Sequence, residues 1–351
     1  MGLQMGFRVS IVRAMLRCGA CVLLAGAAFA QDEPTMTLHA YADLVQMPVL
    51  VLDSQRGRLP TVDMTRFRMT LNSGPPFRPT HVRLEGDDPI EMAILIDSDQ
   101  RRNRLLLEMA RGVASMVTES LGPQDKVVVY VLDCGGIRHS IHLPVERKQI
   151  EEAIKMLLVH QPLAADARQD AKACKAPPHL WSAMAYTVRE LSTSPGRRVL
   201  LAVSDGQDGG SSVPWQALKD LATRGSVAVF SLATNEQQPL RFLETDDHMA
   251  MVCEFSGGLR LWSTDYDLQR KLREFVRMLR ERYILDFPRP KRSPAGTVGV
   301  QVTLGESQVF IRASGVSFPL ADDKLLADPT TVPSDPTRAP EVGSRRVLKS
   351  Q

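Results

Sequence analysis

Beyond its first 30 residues, this 351-residue chain has no apolar run long enough to span a bilayer, which takes about 20 residues. Charge of one sign is not in excess either. Lys and Arg total 43 against 40 Asp and Glu. Arg8, Arg13 and Arg17 fall in the leader described below, so the remainder carries 40 of each sign. That balance gives no electrostatic basis for binding nucleic acid. Cysteine is scarce. After Cys18 and Cys21 of the leader, Cys134, Cys174 and Cys253 remain, without zinc-site spacing. An odd count permits at most one disulfide and leaves one thiol, and the pairing stays open. No G-x-x-x-x-G-K-[ST] exists, so Gly209-Gly210-Ser211-Ser212 is a loop and not a phosphate cradle. G-x-S-x-G is absent too, which removes the usual hydrolase signal around Ser204.

What is present begins with a leader. The three arginines precede Cys18 to Ala30 (CGACVLLAGAAFA), which ends in Ala28-Phe29-Ala30. A positive start, a short apolar core and small residues at the end make a secretory signal peptide, with cleavage expected before Gln31. An uncleaved anchor is the alternative; Cys21 lies too early for a lipoprotein. The expected location is periplasmic or secreted, with no membrane span after cleavage.

The whole chain is 44% hydrophobic in composition, ample for one large domain with appendages. Residues 37–52, 67–71 and 81–84 read as strands separated by turns at 53–57 and 72–76. From Ile90 strands alternate with helices, which predicts a doubly wound, mostly parallel sheet. Helices are expected at 105–117, 147–159, 180–191, 215–224, within 239–256 and at 267–283. Strands are expected at 90–97, 127–132, 137–143, 199–203, 226–232 and near 260, with 137–143 as a sheet edge. Residues 283–287 and two runs within 297–318 are further strands that close the domain or rejoin the first ones. From about Ala321 the chain is rich in Pro, Asp, Thr and Ser, the composition of a disordered tail.

Two apolar runs end in a carboxylate: Met92-Ala93-Ile94-Leu95-Ile96-Asp97 and Val199-Leu200-Leu201-Ala202-Val203-Ser204-Asp205. Both read as buried strands. In an open α/β sheet their carboxyl ends form the rim where ligands bind. Two carboxylates facing one another there need a cation.

These residues resemble a von Willebrand factor A domain, and more closely the secreted "VWFA-related" family known from acidobacteria. The resemblance covers most of 37–318. It rests on Leu44 to Val51 with Asp53 and Arg56-Gly57-Arg58, on Phe67 to Gly74, on Asp97, and on Ser204-Asp205-Gly206-Gln207-Asp208. It continues through Gly225 to Leu232, Ser256-Gly257-Gly258, and Arg280-Glu281-Arg282-Tyr283-Ile284-Leu285. It implies a Rossmann-like sheet, with 31–88 as an N-terminal β region, 89–285 as the von Willebrand-like domain and 286–318 as C-terminal strands. Residues 1–30 are then the signal and 319–351 the tail.

The family carries a metal-ion-dependent adhesion site on the rim, built from D-x-S-x-S, a loop Thr and a later Asp. Here it is degenerate. Asp97-Ser98-Asp99-Gln100-Arg101 keeps the first Asp but places Asp99 and Arg101 where serines belong. The loop Thr corresponds best to Pro178, or to His179 if the register slips by one. Asp205 matches, and Asp208 fits the acidic pattern while also suiting a capping role. Two readings stand open. In one, Asp97, Asp99 and Asp205 hold Mg²⁺ or Ca²⁺ through an altered shell. In the other, which is favoured, no metal or cofactor binds, and Arg101 or Arg102 folds over the carboxylates.

The expected function is therefore an exported module that binds an unidentified protein partner through the rim: Asp97, Ser98, Asp99, Arg101, Pro178, His179, Ser204, Asp205 and Asp208. A metal-dependent adhesion domain is the alternative, and an enzyme the weakest reading. His139 and His142 lie on opposite strand faces and suit no shared metal. Trp181, Trp215 and Trp262 are expected to pack, with Trp215 a possible contributor to a contact surface. Arg270, Lys271, Arg273, Arg277, Arg280 and Arg282 are expected on the solvated face of one helix.

Overall fold

The computed structural model describes residues 44–53, 60–97, 103–133, 136–142, 149, 152, 179–204, 206–233, 247–263, 267–290, 296–305, 309–318 and 340–342. The signal segment and most of 319–351 lie outside the described residues, as do Ser98, Asp99, Arg101, Arg102, Pro178 and Asp205.

The architecture is mixed α/β. A mostly parallel sheet has the order β6-β5-β4-β7-β8-β9. Its strands are β4 (Ile90–Asp97), β5 (Lys126–Asp133), β6 (Gly136–His142), β7 (Arg197–Val203), β8 (Val227–Ala233) and β9 (Arg260–Trp262). All neighbours pair in parallel except β6, which is antiparallel to β5 and forms the edge. Helices cover both faces: α1 (Asn103–Ser120) and α5 (Leu268–Arg280) on one, α2 (Leu180–Ser192), α3 (Trp215–Arg224) and α4 (His248–Ser256) on the other.

Strand alternation divides the core accordingly. Ile90, Met92, Ile94 and Ile96 of β4 pack with Val113, Leu272, Phe275 and Leu279 of α1 and α5. Ala93 and Leu95 face Met184 and Val188 of α2. A strand apolar on both faces is what a two-sided parallel sheet requires. No described helix is long and apolar enough to cross a membrane.

A second sheet has the order β13-β1-β10-β3, from β1 (Leu44–Leu52), β3 (His81–Leu84), β10 (Tyr283–Pro288) and β13 (Phe310–Ala313). Strand β10 pairs antiparallel with β1 and β3. The C-terminal strands thus rejoin the N-terminal ones, and a division after Leu285 falls inside a strand. In β1, Leu50 and Leu52 face the α/β core, while Met47, Val49 and Val51 face a further β layer. That layer holds β2 (Phe67–Leu71) with β12 (Val300–Leu304), and β11 (Gly296–Val298) with β14 (Val316–Phe318). Val342 bridges to Leu71 in this layer, a contact that the polar composition of the tail did not announce.

One expectation is corrected here. Arg280 and Arg282 do not belong to a solvated helical face. The helix ends at Arg280, so the direction of Arg282 is set by the strand that follows. Arg282 is 1% exposed and pairs with Glu85, also 1% exposed. Nε and Nη2 each donate to a Glu85 carboxylate oxygen at 2.7 Å. Arg280 donates to the carbonyls of Gly86 (3.0 Å) and Asp88 (2.9 Å) and pairs with Asp125. These contacts fasten the segment after β3 to the end of α5. On another side, Arg312 of β13 bonds Glu254 of α4 at 2.5 Å.

Candidate functional site at the switch point of the parallel sheet

Successive strands lie to one side of β4 (β5, β6) and then to the other (β7, β8, β9), so the order reverses between β4 and β7. The crevice beyond the carboxyl ends of strands at such a reversal is the general ligand site of open α/β sheets. Register decides what meets there. Ile96 pairs with Val203, so the next residues, Asp97 and Ser204, fall opposite one another. Both continue the face that carries Leu95 and Ala202, toward α2.

The two side chains touch. Ser204 Oγ donates to Asp97 Oδ2 at 2.8 Å. Gly206 N donates to Ser204 Oγ at 3.2 Å, and Ser204 N donates to the Leu232 carbonyl at 3.2 Å. Asp97 is 6% exposed and Ser204 1%. A carboxylate this deep needs hydrogen bonds or a positive partner to stay ionised. Gly206 turns the chain with φ +87°, a conformation side chains rarely adopt, and a Cβ there would stand 3.3 Å from Met249 and 3.4 Å from Arg260 Nη2.

The rim loop after Gly206 serves α2. The helix begins at Leu180, and His179 before it makes no capping hydrogen bond with its side chain. Asp208 Oδ1 accepts instead from Trp181 N at 3.1 Å, and Ser211 Oγ from Ser182 N at 3.0 Å. Ser211 Oγ in turn donates to Asp208 Oδ1 at 2.5 Å. Two otherwise unpaired helix amides are satisfied, and the carboxylate sits at the positive end of the helix. Asp208 is therefore occupied in capping, one of the two roles its sequence pattern allowed. His179 packs its ring against Gly210, where a Cβ would stand 2.7 Å from Nε2.

On the β8–β9 side, Asp247 caps α4 by accepting from Ala250 N at 3.0 Å and pairs with Arg260. The Arg260 guanidinium lies over the Trp262 ring, 4.6 Å from its centroid. Trp215 stacks on the exposed His248 at 4.9 Å, while Trp181 is buried.

The structure thus brings Asp97 and Ser204 together and places His179 and Asp208 at the start of α2. The remaining rim candidates, including the carboxylates of Asp99 and Asp205, lie outside the described residues. No group of three His, Cys, Asp or Glu with metal-holding geometry occurs among the described residues. Of the expected ion ligands Asp97, Asp99 and Asp205, the described residues include Asp97. Arg260 was missed in the sequence. It sits 54 residues beyond Gly206 in the numbering, and only the adjacency of β7, β8 and β9 brings them together. Cys253 is a free, buried thiol on α4, its pKa pushed upward by burial; Cys134 and Cys174 lie outside the described residues.

No protein-family model matches this chain. No curated protein matches it either. Solved structures show remote similarity. Proximal thread matrix protein 1 from the mussel byssus aligns with TM-score 0.37 and 12% identity, over 59% of this chain and 49% of that one. A second structure of the same protein aligns at TM-score 0.36 and 12% identity, over 67% and 51%. An aerotolerance-related membrane protein from Bacteroides fragilis aligns at TM-score 0.34 and 12% identity, over 54% of this chain and 98% of that one. The chain spans about half the length of the mussel protein.

Proposed function

We propose that this chain is an exported protein-interaction module of von Willebrand A type, whose rim binds a partner protein without a resident metal ion. One observation carries the reading. At the point where strand order reverses, Asp97 and Ser204 close the ends of β4 and β7 and meet at 2.8 Å. That is where the resemblance expects the adhesion site. Proteins of this architecture recognise partners with loops held by a rigid sheet, and here the loop 206–212 is anchored to α2 through Asp208 and Ser211.

A hydrolase is disfavoured on the same geometry. The Ser204 hydroxyl donates to a carboxylate and not to an imidazole, and it is 1% exposed, whereas a nucleophile needs a base and access. The second reading is a metal-dependent adhesion domain using Asp97, Asp99 and Asp205.

Capture of a partner by the mature chain tests the proposal. Residues 31–351 are immobilised and incubated with the exported proteins of the source organism, in chelator and in Mg²⁺. Equal capture in both conditions, lost on Ser212→Arg at the exposed rim loop but kept on Tyr186→Ser on the α2 face, is expected. Capture only in Mg²⁺ would establish the metal-dependent reading. Capture unaffected by the rim substitution would remove the rim from the account.

A further inference from the structure

We propose that the outer edge of β2 is a strand-accepting groove, and that residues 340–342 are its resident ligand, a tethered segment that occupies the edge in cis. The ligand class is an extended peptide of alternating apolar and polar residues, laid parallel to β2. This surface belongs to the further β layer and uses no rim residue.

One edge of β2 is filled by β12, with Met69 opposite Val302 and Leu71 opposite Val300. Phe77 returns to the other edge and exchanges both backbone hydrogen bonds with Met69, each at 2.9 Å. Alternate residues of a strand offer their backbone groups to the same neighbour, so Leu71 presents its amide on that side too. Its carbonyl accepts from Gly74 N at 2.9 Å in the turn that follows. The chain that meets Leu71 there comes from the far end of the sequence: Val342 bridges it in the parallel sense.

The seated segment has the form of a short strand. Pro340 is buried, Glu341 is exposed and Val342 is half-buried, the in–out alternation of extended backbone. Val342 packs on the apolar cluster that includes Phe67, Met69 and Leu71. Proline suits an edge strand, where its missing N–H is no loss. The groove is fixed by the rest of the fold. β2 is paired along its length with β12, Asn72 N donates to the Gly299 carbonyl at 2.7 Å, and Asn72 Oδ1 accepts from Gly299 N at 2.7 Å. A preformed acceptor loses little freedom on binding. Main-chain pairing gives such a site its affinity, and the alternate side chains give selectivity. A bare strand edge also invites pairing with other chains, and covering it is a recurrent protection.

The contact is small. Among the described residues, one bridge and the side chains of Pro340 and Val342 hold it. Residues 319–339 join it to Phe318 of β14. A tether of that length sets an effective concentration of about millimolar. A contact too weak to persist as a separate peptide is therefore kept occupied in cis, and it yields to a longer or better-matched strand.

Hydrogen exchange and peptide binding test this on residues 31–351, on the Val342→Asp variant and on a chain ending at Ala339. In Val342→Asp the Leu71 amide should exchange about tenfold faster than in the parent or more, while the Met69 amide, held by Phe77, keeps its rate. A labelled synthetic peptide of residues 336–347, titrated to millimolar, should bind Val342→Asp and the shortened chain. It should bind the parent about tenfold more weakly or less, because the groove there is taken. The same peptide carrying Val342→Asp should bind none of them. Equal exchange at Leu71, no peptide binding to either opened chain, or equal binding to parent and variant would each overturn the proposal. So would a dimer of the parent, seen by light scattering, that Val342→Asp dissolves, since the segment would then sit on a second copy. Should neither opened chain fold, Val342→Ala trims the same contact and should show the same order of effects, smaller in size; parent-like exchange and binding there would overturn the proposal as well.

Discussion

Replacing Glu85 by Ala should be among the most damaging single changes in this fold. Arg282 is 1% exposed, and its guanidinium meets both Glu85 oxygens at 2.7 Å. Removing the carboxylate strands a buried positive charge, because arginine does not deprotonate to escape. Breaking a buried pair from one side costs about 3–5 kcal/mol. At about 2–4 °C of melting temperature per kcal/mol for a chain of this size, a drop of about 10 °C is expected. The backbone is also involved: Glu85 N donates to the Arg282 carbonyl at 2.7 Å, so this bond survives the substitution and should hold the segment in place. The double variant Glu85→Leu/Arg282→Met is the informative control. Apolar replacements of similar volume remove both desolvation costs, and such exchanges range from neutral to stabilising. Thermal and urea unfolding of the four proteins give the coupling directly. A loss below about 1 kcal/mol for Glu85→Ala, the range of surface pairs, would refute the claim that this pair fastens the segment after β3 to the end of α5.

Asp286 tests the electrostatics of the second sheet. It lies in a cross-strand row with Gln46 and His81, faces Arg83 and Arg197, and burial pushes its pKa upward. A carboxyl with a raised folded pKa stabilises the fold below its unfolded pKa and loses that contribution as pH rises through the folded value. Asp286→Asn should therefore raise the melting temperature at pH 7 by a few degrees, about 1 kcal/mol, and the gain should shrink as pH falls into the carboxylate range; a loss at pH 7 would mean that Arg83 and Arg197 outweigh burial. Asp208→Ala should cost about 1 kcal/mol by uncapping α2, seen as a lower urea midpoint with unchanged slope; no change would dismiss the capping role. Gly258→Ala places a Cβ 1.9 Å from the Val229 carbonyl oxygen. Because backbone must move, a loss of about 3 kcal/mol or failure to fold is expected, and a normal melting curve would contradict the tight approach of α4 to β8.

Much of the parallel sheet was legible because its signals are local. β4 and β7 are apolar on both faces and end in polar residues, and α3 begins at Trp215 and stops at Gly225, as its periodicity indicates. The second sheet and its Arg282–Glu85 pair were not legible. Arg282 continues a run of basic residues two positions past the helix end, so helical spacing assigned it to solvent when strand geometry turns it inward. The second sheet joins β1 to β10 and β13, strands more than 200 residues apart in the chain, and no local pattern specifies such a register. At the site, Asp97 was readable from its strand. The cap of α2 was not, since Asp208 lies 27 residues beyond the amide it accepts from. Arg260 was hidden for the same reason: sheet order, and not spacing, brings it to Gly206.

The central claim is a rim that holds no resident metal ion. Thermal unfolding of residues 31–351 in chelator, Mg²⁺, Ca²⁺ and Mn²⁺ tests it most directly. An ion that binds only the folded state at 100 times its dissociation constant adds about 2.7 kcal/mol, a rise of several degrees. The account expects superimposable melting curves in all four conditions; a rise of that size with any of the ions would contradict it.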